Sequence, residues 1–441
     1  EIGSGLVGSE MCIRDRFMKV LVISRSPWDD SNSFGNTFSN LFGGMKGVEI
    51  FSICCQDGVN NNGIVSKTYQ MTDRSVLNSL MGKHAGSVMA SATVQDYVIS
   101  KKKSNKFPKK RYTVFYIARD LIWNFGHWWD KDFKSFLDEI KPEVIYLPIY
   151  ASWYMCDVQQ KVVNYCKVPV VGHITDDNYN YPPNGWNQPL AYLYRANVRR
   201  KVRNLIAKCS YIEVFAENMA HEYAEIFKKP FYVIGKGIDI SKVDQIKVET
   251  PKNNPVKYVY TGNIGNGRYL ELAKLGKALD VAYHDGGAEL LIYTQSMMEV
   301  GMQEAFSYCN SLKLCGSVSS IEVLKIQQDA DVLVHVESFS KQSVFETKMS
   351  FSTKLVDYMM AGKIIFAIGP MEVNSLETLR NHNLAITACC DDEVKKQVLA
   401  IKNGEVDTKS LTASIHKYIT TYRDKIIIQK EMFNRLSELM K

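Results

Sequence analysis

Short apolar segments alternate with helix-like segments along this chain of 441 residues, and the alternation runs twice. The first series of apolar segments lies near residues 19–25, 48–54, 143–148, 169–174, 211–216 and 231–235. The second series lies near residues 257–261, 288–293, 312–315, 331–336, 363–368 and 384–388. Strands that alternate with helices predict a parallel sheet with helices on both faces. The sequence therefore predicts an α/β protein with two Rossmann-like, doubly wound domains.

The polar segment between the two series contains two prolines and two asparagines at positions 251–255, a composition typical of a linker. We expect a first domain at residues 18–240, a linker at 241–256, a second domain at 257–405 and C-terminal helices at 406–441. The helix-like segments of the first domain lie near residues 36–45, 75–98, 113–124, 130–140, 152–166, 188–208 and 217–228. Two such domains face each other across a cleft, where ligands bind at the carboxyl ends of the strands.

Composition narrows the class of protein. With 46% hydrophobic and 23% charged residues the chain is typical of a soluble globular protein, and no apolar run reaches the roughly 18 residues of a membrane span. The ten cysteines show no CxxC spacing, which favours a reducing compartment over a disulfide framework, so we expect a cytoplasmic protein. Residues 6–16 resemble a translated sequencing adapter. We therefore expect a native start at Met18 and treat residues 1–17 as a non-native extension.

Seven basic residues crowd into the eleven positions from Lys101 to Arg111, in a chain of net charge +7. Such a run is most often a solvated loop. It also favours peripheral attachment to an anionic membrane surface or lipid phosphate, at about 1 kcal/mol per basic residue. Both interpretations stay open. No recognised nucleic-acid-binding module accompanies the run, so we expect no nucleic acid as a partner.

The segment STKLVDYMMAGKIIFAIGP, which begins at Ser352, predicts a helix followed at once by a buried strand. Ser352 can cap the helix, and Gly362 can end it in the left-handed conformation. Thr353 and Lys354 lie in the first turn, where free N–H groups favour an anion, so a lysine there suggests a bound anion. Asp357 follows on the same face. This spacing suits a diphosphate and its neighbouring ribose.

A second segment, KYVYTGNIG, predicts a strand that runs into a glycine turn. Gly262 and Gly265, with Asn263 between them, let the backbone approach a phosphate closely. Arg268 follows at the start of a helix and can pair with a phosphate in bidentate fashion. The two segments together predict a phosphate site in the second domain.

These segments resemble the donor site of retaining glycosyltransferases with the GT-B fold, the large group called family 4. In that family a Ser/Thr-Lys pair meets the diphosphate, an acid meets the ribose, and the helix ends much as Asp-Tyr-Met-Met-Ala-Gly does here. The resemblance implies transfer of a sugar from a nucleotide-diphosphate donor to a saccharide or lipid-linked hydroxyl acceptor. It further implies retention, no metal and no cofactor besides the nucleotide sugar. We expect a role in cell-surface polysaccharide or glycolipid synthesis.

The resemblance also assigns residues to the donor site. Its members are Gly262, Asn263, Gly265, Arg268, Thr294, Val318, Ser352, Thr353, Lys354 and Asp357. Thr294 and Val318 belong to two loops that would wall the nucleotide base. Gly35 and Asn36 resemble the glycine-bearing loop near the donor phosphate and acceptor, although Asn36 can equally serve a helix cap.

The acceptor chemistry is predicted at the end of the strand near residues 169–174. Asp176 or Asp177 could orient or deprotonate an acceptor hydroxyl, and His173 could do so with a pKa near neutrality. A turn made by the aspartates and a core histidine explain the same residues equally well.

The pattern departs from the family at one position. A second acid usually stands upstream of the one matched by Asp357, and Met349 holds that position here. Glu337 or Glu346 could replace it. Two alternatives therefore stay open, namely a sugar-nucleotide epimerase or phosphorylase of the same fold, and a non-catalytic homologue that binds nucleotide without sugar chemistry.

Overall fold

The computed structural model describes residues 17–89, 113–180 and 189–441, and these form two sheets covered by helices. The adapter-like residues 6–16 and the basic run from Lys101 to Arg111 lie outside the described residues. The predicted α/β architecture with two doubly wound sheets is confirmed. Within the described ranges, no helix combines the length and the apolar composition that a membrane crossing needs.

The first sheet has eight strands, and we call the part of the chain built on it the first domain. Its strands are β1 (Met18–Ser24), β2 (Val48–Cys54), β3 (Val65–Met71), β4 (Gly86–Val88), β5 (Val144–Pro148), β6 (Val170–Ile174), β7 (Tyr211–Val214) and β8 (Phe231–Val233). They lie in the order β4-β3-β2-β1-β5-β6-β7-β8, and every pair is parallel except β3 with β4. The order reverses between β1 and β5, where a doubly wound sheet opens its crevice.

The second sheet has six strands, all parallel, and defines the second domain. They are β9 (Val256–Thr261), β10 (Ala288–Tyr293), β11 (Leu312–Gly316), β12 (Val332–Val336), β13 (Ile364–Ile368) and β14 (Ile386–Ala388). Their order is β11-β10-β9-β12-β13-β14, so the reversal falls between β9 and β12. Every residue of β12 and β13 is buried because helices cover both faces.

The described helices fall into two groups. The first domain has α1 (Ser33–Phe42), α2 (Asp73–Ser79), α3 (Thr113–Phe125), α4 (Lys131–Ile140), α5 (Trp153–Cys166), α6 (Pro189–Lys208) and α7 (Glu217–Phe227). After β9 follow α8 (Arg268–Ala282), α9 (Val300–Ser307), α10 (Ser320–Gln328), α11 (Lys341–Thr347), α12 (Lys354–Met360), α13 (Asn374–Asn381), α14 (Asp391–Lys402), α15 (Thr408–Tyr422) and α16 (Lys425–Glu438).

The chain passes between the domains twice. The first crossing joins β8 to β9. The second lies between α15 and α16, and α16 packs on the first domain, where Met432 and Leu436 share a core with Phe42. The two crossings are bonded side by side, since the Ile238 N–H donates to the Arg423 carbonyl at 2.6 Å. Together they form the junction between the two domains.

One region of the first domain differs from the prediction. The prediction of a single helix near residues 75–98 is wrong, because α2 ends at Ser79 and the strand β4 follows it. β3 was not predicted at all. Its sequence, VSKTYQM, mixes polar and apolar residues because the strand lies near the sheet edge, and only three of its seven residues are buried. No continuous apolar run marks such a strand.

Candidate functional site

A cavity of about 1310 Å³ lies between the two domains. The first domain contributes the start of α1, including Asn36, and the loop and strand residues between Val59 and Thr68. The second domain contributes the start of α10 and the cavity-facing side of α12. The cavity therefore occupies the cleft at which doubly wound domains bind ligands.

Among the described residues of the second domain, Lys354 is the cation that lines this cavity. Its ammonium lies 3.4 Å from the Thr261 carbonyl and 4.4 Å from the centre of the Tyr260 ring. Burial lowers the pKa of Lys354 to about 8, the nearby Glu337 carboxylate opposes that shift, and the charge of Arg268 adds to it. A partly buried ammonium whose direct contacts are a carbonyl and an aromatic ring is available to pair with an anion.

Arg268, which is partly exposed, forms an ion pair with the buried Glu337 beside Lys354. Arg268 donates to Glu337 Oε2 from Nε at 3.1 Å and from Nη2 at 2.8 Å. Burial opposes the charge of Arg268, but the charge of Glu337, the hydrogen bond to it and smaller contributions from neighbouring groups together raise the pKa of Arg268. His335 Nε2 lies 3.6 Å from the other Glu337 oxygen, and burial lowers the pKa of His335 well below its ordinary value. The cluster thus holds two cations and one carboxylate around a neutral histidine.

The predicted glycine turn lies next to this cluster. Gly262 has φ +142°, and a Cβ at this position would lie 3.4 Å from the Lys354 ammonium. The Asn263 side chain accepts from the Gly265 N–H at 2.6 Å and from the Ser296 hydroxyl at 3.0 Å. These bonds fix the turn at the end of β9. Asn263 therefore shapes the backbone, and the cavity lining among described residues does not include it.

Asp357 lines the cavity and pairs with a residue that was not predicted to belong to the donor site. Its Oδ1 lies 2.6 Å from the ammonium of Lys236, which also lines the cavity. The pair could not be predicted, because contact between residues so distant in sequence depends on the packing of the two domains.

Of the remaining residues predicted for the donor site, some line the cavity and others do not. Val318 and Thr353 line the cavity, whereas Thr294 is nearly buried and its hydroxyl accepts from the Ser296 N–H at 3.0 Å. The predicted Ser352 cap is wrong, because α12 begins at Lys354 and no side chain caps it. Instead, the helix begins with a turn in which the Leu355 N–H donates to the Ser352 carbonyl, three residues earlier, at 3.0 Å. Gly362 ends the helix region at φ +64°, as predicted.

Gly35 and Asn36 do not lie in a loop. They belong to the first turn of α1, which Asn32 caps by accepting from the Gly35 N–H at 2.7 Å. A Cβ on Gly35 would overlap the backbone of Asp29, so glycine is needed for close packing of helix and loop. Asn36 is exposed and lines the cavity.

His173 does not line the cavity formed by the described residues. Its ring lies between Phe38 and Phe215, each centred 5.1 Å away, and its Nδ1 lies 3.0 Å from the Tyr146 hydroxyl. Burial lowers the pKa of His173 to about 3. The prediction of a histidine that titrates near neutrality at the cleft is therefore corrected to a neutral core residue.

The two aspartates after β6 also lie away from that cavity lining. Asp177 is buried, and its Oδ1 accepts from the Asn180 N–H at 2.8 Å and from the Tyr223 hydroxyl at 2.5 Å. Asp176 is exposed, and the Thr175 hydroxyl is 3.4 Å from its carboxylate. The geometry supports the turn interpretation of Asp177 and brings neither acid to Lys354.

The two candidate replacements for the missing acid are now placed. Glu337 follows β12 and belongs to the Arg268 cluster, while Glu346 on α11 accepts from Asn266 at 3.0 Å. Met349, which holds the family's acid position, is buried among core residues of the first domain. Met349, which lies between α11 and α12 of the second domain, therefore contacts the first domain.

One group of described residues has the spacing of metal ligands. His84, Asp130 and Asp132 place one ligand atom each within 4.8 Å of one another. His84 and Asp132 already pair at 2.9 Å, and Asp130 caps α4. None of the three lines the cavity, so this group is not part of the candidate site.

Solved structures share the two-domain arrangement over nearly the whole chain. Anabaena HepE in complex with UDP is 12% identical, with 96% of this chain and 100% of that chain covered at a TM-score of 0.60. Sucrose-phosphate synthase from Thermosynechococcus elongatus is 10% identical, with 96% and 99% covered at a TM-score of 0.61. The chain has the GT-B fold.

A glycosyltransferase from Rickettsia africae extends the comparison, at 8% identity, 96% and 99% coverage and a TM-score of 0.58. A scan of protein-family models and a search of the curated proteins give no match to the sequence. At these identities the likeness to solved structures shows the GT-B fold, and the activity has to be argued from the site.

Proposed function

We propose that the protein is a glycosyltransferase that moves a sugar from a nucleotide-diphosphate donor to a hydroxyl acceptor. One observation carries the proposal. Two partly buried cations, Arg268 and Lys354, lie near the carboxylate of Glu337 beside β9 and β12. Arg268 pairs with this carboxylate, and Lys354 lines the cleft. The excess positive charge lies at the reversal of strand order, where doubly wound sheets bind phosphates.

The charge pattern matches the chemistry of sugar transfer. The bond from the sugar to the diphosphate breaks, and negative charge develops on the leaving diphosphate. Lys354 would contact that charge directly, and Arg268 would add to the positive field around it. Preorganised charge in a partly buried site is usually the largest catalytic contribution of an enzyme. Asp357 would receive the ribose hydroxyls at the same wall of the cavity.

The neighbouring structures indicate which donors to test first. HepE was solved with UDP and with UDP-glucose, at TM-scores of 0.60 and 0.57. A trehalose-phosphate synthase from Burkholderia xenovorans, at a TM-score of 0.57, is described as UDP-forming. We therefore propose a uridine nucleotide sugar as the first donor candidate.

The decisive experiment is calorimetric binding of UDP, ADP, GDP and their glucose conjugates to wild type, Lys354→Met and Lys363→Met. Lys363 is the matched control, because it forms a lysine–carboxylate ion pair with Glu249 at 3.0 Å and does not line the cavity. We expect binding of one nucleotide sugar by wild type and by the control. Lys354→Met should lose about 10- to 100-fold in affinity, the range of a charge-assisted hydrogen bond. Equal affinity of all three proteins contradicts the proposed donor site.

Retention at the anomeric carbon and independence from metals are further parts of the proposal. Retention rests on the family resemblance, and metal independence on Arg268 and Lys354 as the counter-charges of the diphosphate. Nuclear magnetic resonance of the newly formed glycosidic bond tests retention. Unchanged turnover after treatment with a chelator would support metal independence, whereas rescue by Mg²⁺ or Mn²⁺ would overturn it.

We also propose that the protein works at an anionic membrane surface, in polysaccharide or glycolipid synthesis. The basic residues between Lys101 and Arg111 directly precede α3 in the sequence. On α3 the side chains of Val114 and Phe125 are 60% and 64% exposed. Basic and apolar groups together favour the membrane interface. Co-sedimentation with phosphatidylserine vesicles, absent with phosphatidylcholine, is the expected result.

The non-catalytic alternative keeps one specific observation in its favour. Met349 replaces the usual acid and is buried in the first-domain core. A protein of this kind would bind the bare nucleotide as tightly as its sugar conjugate and would not release the nucleotide from the conjugate over time. Slow hydrolysis of the donor, measured as nucleotide release, would exclude this alternative.

A further inference from the structure

An ion pair joins the two domains at the wall of the cavity. The Lys236 ammonium lies 2.6 Å from Asp357 Oδ1, across 121 positions of sequence. The side chains are 12% and 31% exposed, and both line the cavity. Lys236 lies in the first crossing between the domains, while Asp357 lies on α12 of the second domain. Lys236 therefore extends from the first crossing to the carboxylate that is proposed to bind the ribose.

Lys236 is held to the first domain through its neighbour Gly237. The Asn40 side chain on α1 accepts from the Gly237 N–H at 2.6 Å and donates to the Gly237 carbonyl at 2.9 Å. One side chain thus satisfies both backbone groups of Gly237. The backbone of Lys236 consequently follows α1, although the segment leads into the second domain.

The next residue fixes the same segment to the second crossing. Ile238 accepts from the Lys425 N–H at 2.9 Å and donates to the Arg423 carbonyl at 2.6 Å. A Cβ on Gly237 would lie 2.7 Å from the Lys425 Cα, so the two crossings touch through their backbones. Lys236 is therefore supported from both sides and presents its ammonium to Asp357 from a defined place.

We propose that Lys236 is a positioning residue for the nucleotide, contributed by the crossing segment that α1 of the first domain holds in place. The inference rests on the proposed function and names a further residue of the same site. A carboxylate offers about four acceptor positions, so the ammonium can fix the orientation of Asp357 and still leave room for two ribose hydroxyls. Ribose recognition by the second domain then depends on a residue that the first domain holds.

Lys236→Met tests this role, with Lys363→Met as the control for the loss of a partly buried lysine ion pair. The probes are UDP, ADP and GDP, and then the 2′,3′-dideoxy form of the nucleotide that wild type binds best. Lys236→Met should weaken binding of the ribonucleotide by roughly 5- to 20-fold, the range of coupling between contacting residues. Binding of the dideoxy nucleotide should stay within about twofold, because it has no hydroxyl for Asp357 to receive.

A double-mutant cycle with Asp357→Ala separates positioning from direct phosphate contact. In the Asp357→Ala background we expect no further effect of Lys236→Met. Asn40→Ala should weaken ribonucleotide binding in the same direction as Lys236→Met. An equal loss for ribo- and dideoxy nucleotides, or a loss that persists without Asp357, would overturn the positioning role while the proposed function stands. If wild type binds none of the nucleotides, the proposed function and this inference both fail.

Discussion

The sequence predicted functional residues at the strand ends of both domains, for the donor in the second domain and for the acceptor in the first. The surroundings of these residues differ between the two domains. At β9 and β12 of the second domain, Arg268 pairs with Glu337, and Lys354 lies near the same carboxylate and reaches the cleft. At β6 of the first domain, Asp177 and His173 are buried among their own hydrogen-bond partners. Polar residues at a strand end are thus a shared signal with two outcomes. A cation that lines a cavity indicates a binding site, while buried groups that bond to their own domain and face no cavity indicate a structural role.

The largest expected effect separates the roles of Arg268 in stability and in binding. Arg268→Met leaves the buried Glu337 carboxylate with less compensation, so the free energy of unfolding should fall by about 3 kcal/mol. The double variant Arg268→Met with Glu337→Gln should recover most of that loss, because the uncompensated charge is gone. Urea unfolding measures both.

Nucleotide binding gives the second half of this comparison. We expect both the single and the double variant to bind nucleotide weakly, since each lacks the positive charge of Arg268. If the double variant stays as unstable as the single one, the ion pair is not the reason for the loss. If it regains stability and nucleotide affinity together, Arg268 has no role toward the donor.

The first domain should respond in stability alone. Asp177→Asn removes a buried carboxylate that accepts from the Asn180 N–H and the Tyr223 hydroxyl, so the free energy of unfolding should fall by about 2 kcal/mol. Asp176→Asn is the matched control, because its side chain is exposed, and we expect a change below about 0.5 kcal/mol. Thermal unfolding with and without nucleotide measures both. A loss of sugar transfer in Asp176→Asn at full stability would restore it as a catalytic candidate.

The smallest expected effect is a pH dependence that belongs to the second domain. The pKa of Lys354 is lowered to about 8 in the free protein, and a bound diphosphate favours the ammonium form. Binding then takes up a proton above pH 8, so affinity should fall as pH rises, by about tenfold between pH 7 and pH 9.

Calorimetry at pH 7, 8 and 9 measures this change. Lys354→Arg is the control, because a guanidinium does not titrate in this range, and its affinity should change little with pH. A wild-type affinity that is equally flat would show that Lys354 does not meet the phosphate. The comparison between the two strand ends would then lose its physical basis.

Much of the fold was predictable because its strands are buried on both faces. β13 is a continuous apolar run, and His335 alone interrupts the apolar run of β12. β3 escaped prediction because a strand near the sheet edge keeps polar side chains. α12 and its glycine end were visible in the sequence, since Gly362 needs the left-handed conformation that glycine adopts freely.

The sequence by itself determined two doubly wound domains and a second-domain segment that joins Lys354 and Asp357 on one helix. These features depend on neighbours within a few turns of chain. The tertiary structure alone decided that Lys236 meets Asp357 and that Glu337 pairs with Arg268. It also decided that His173 belongs to the core. Each of these outcomes depends on charge balance and burial among residues far apart in sequence, and local pattern carries no information about either.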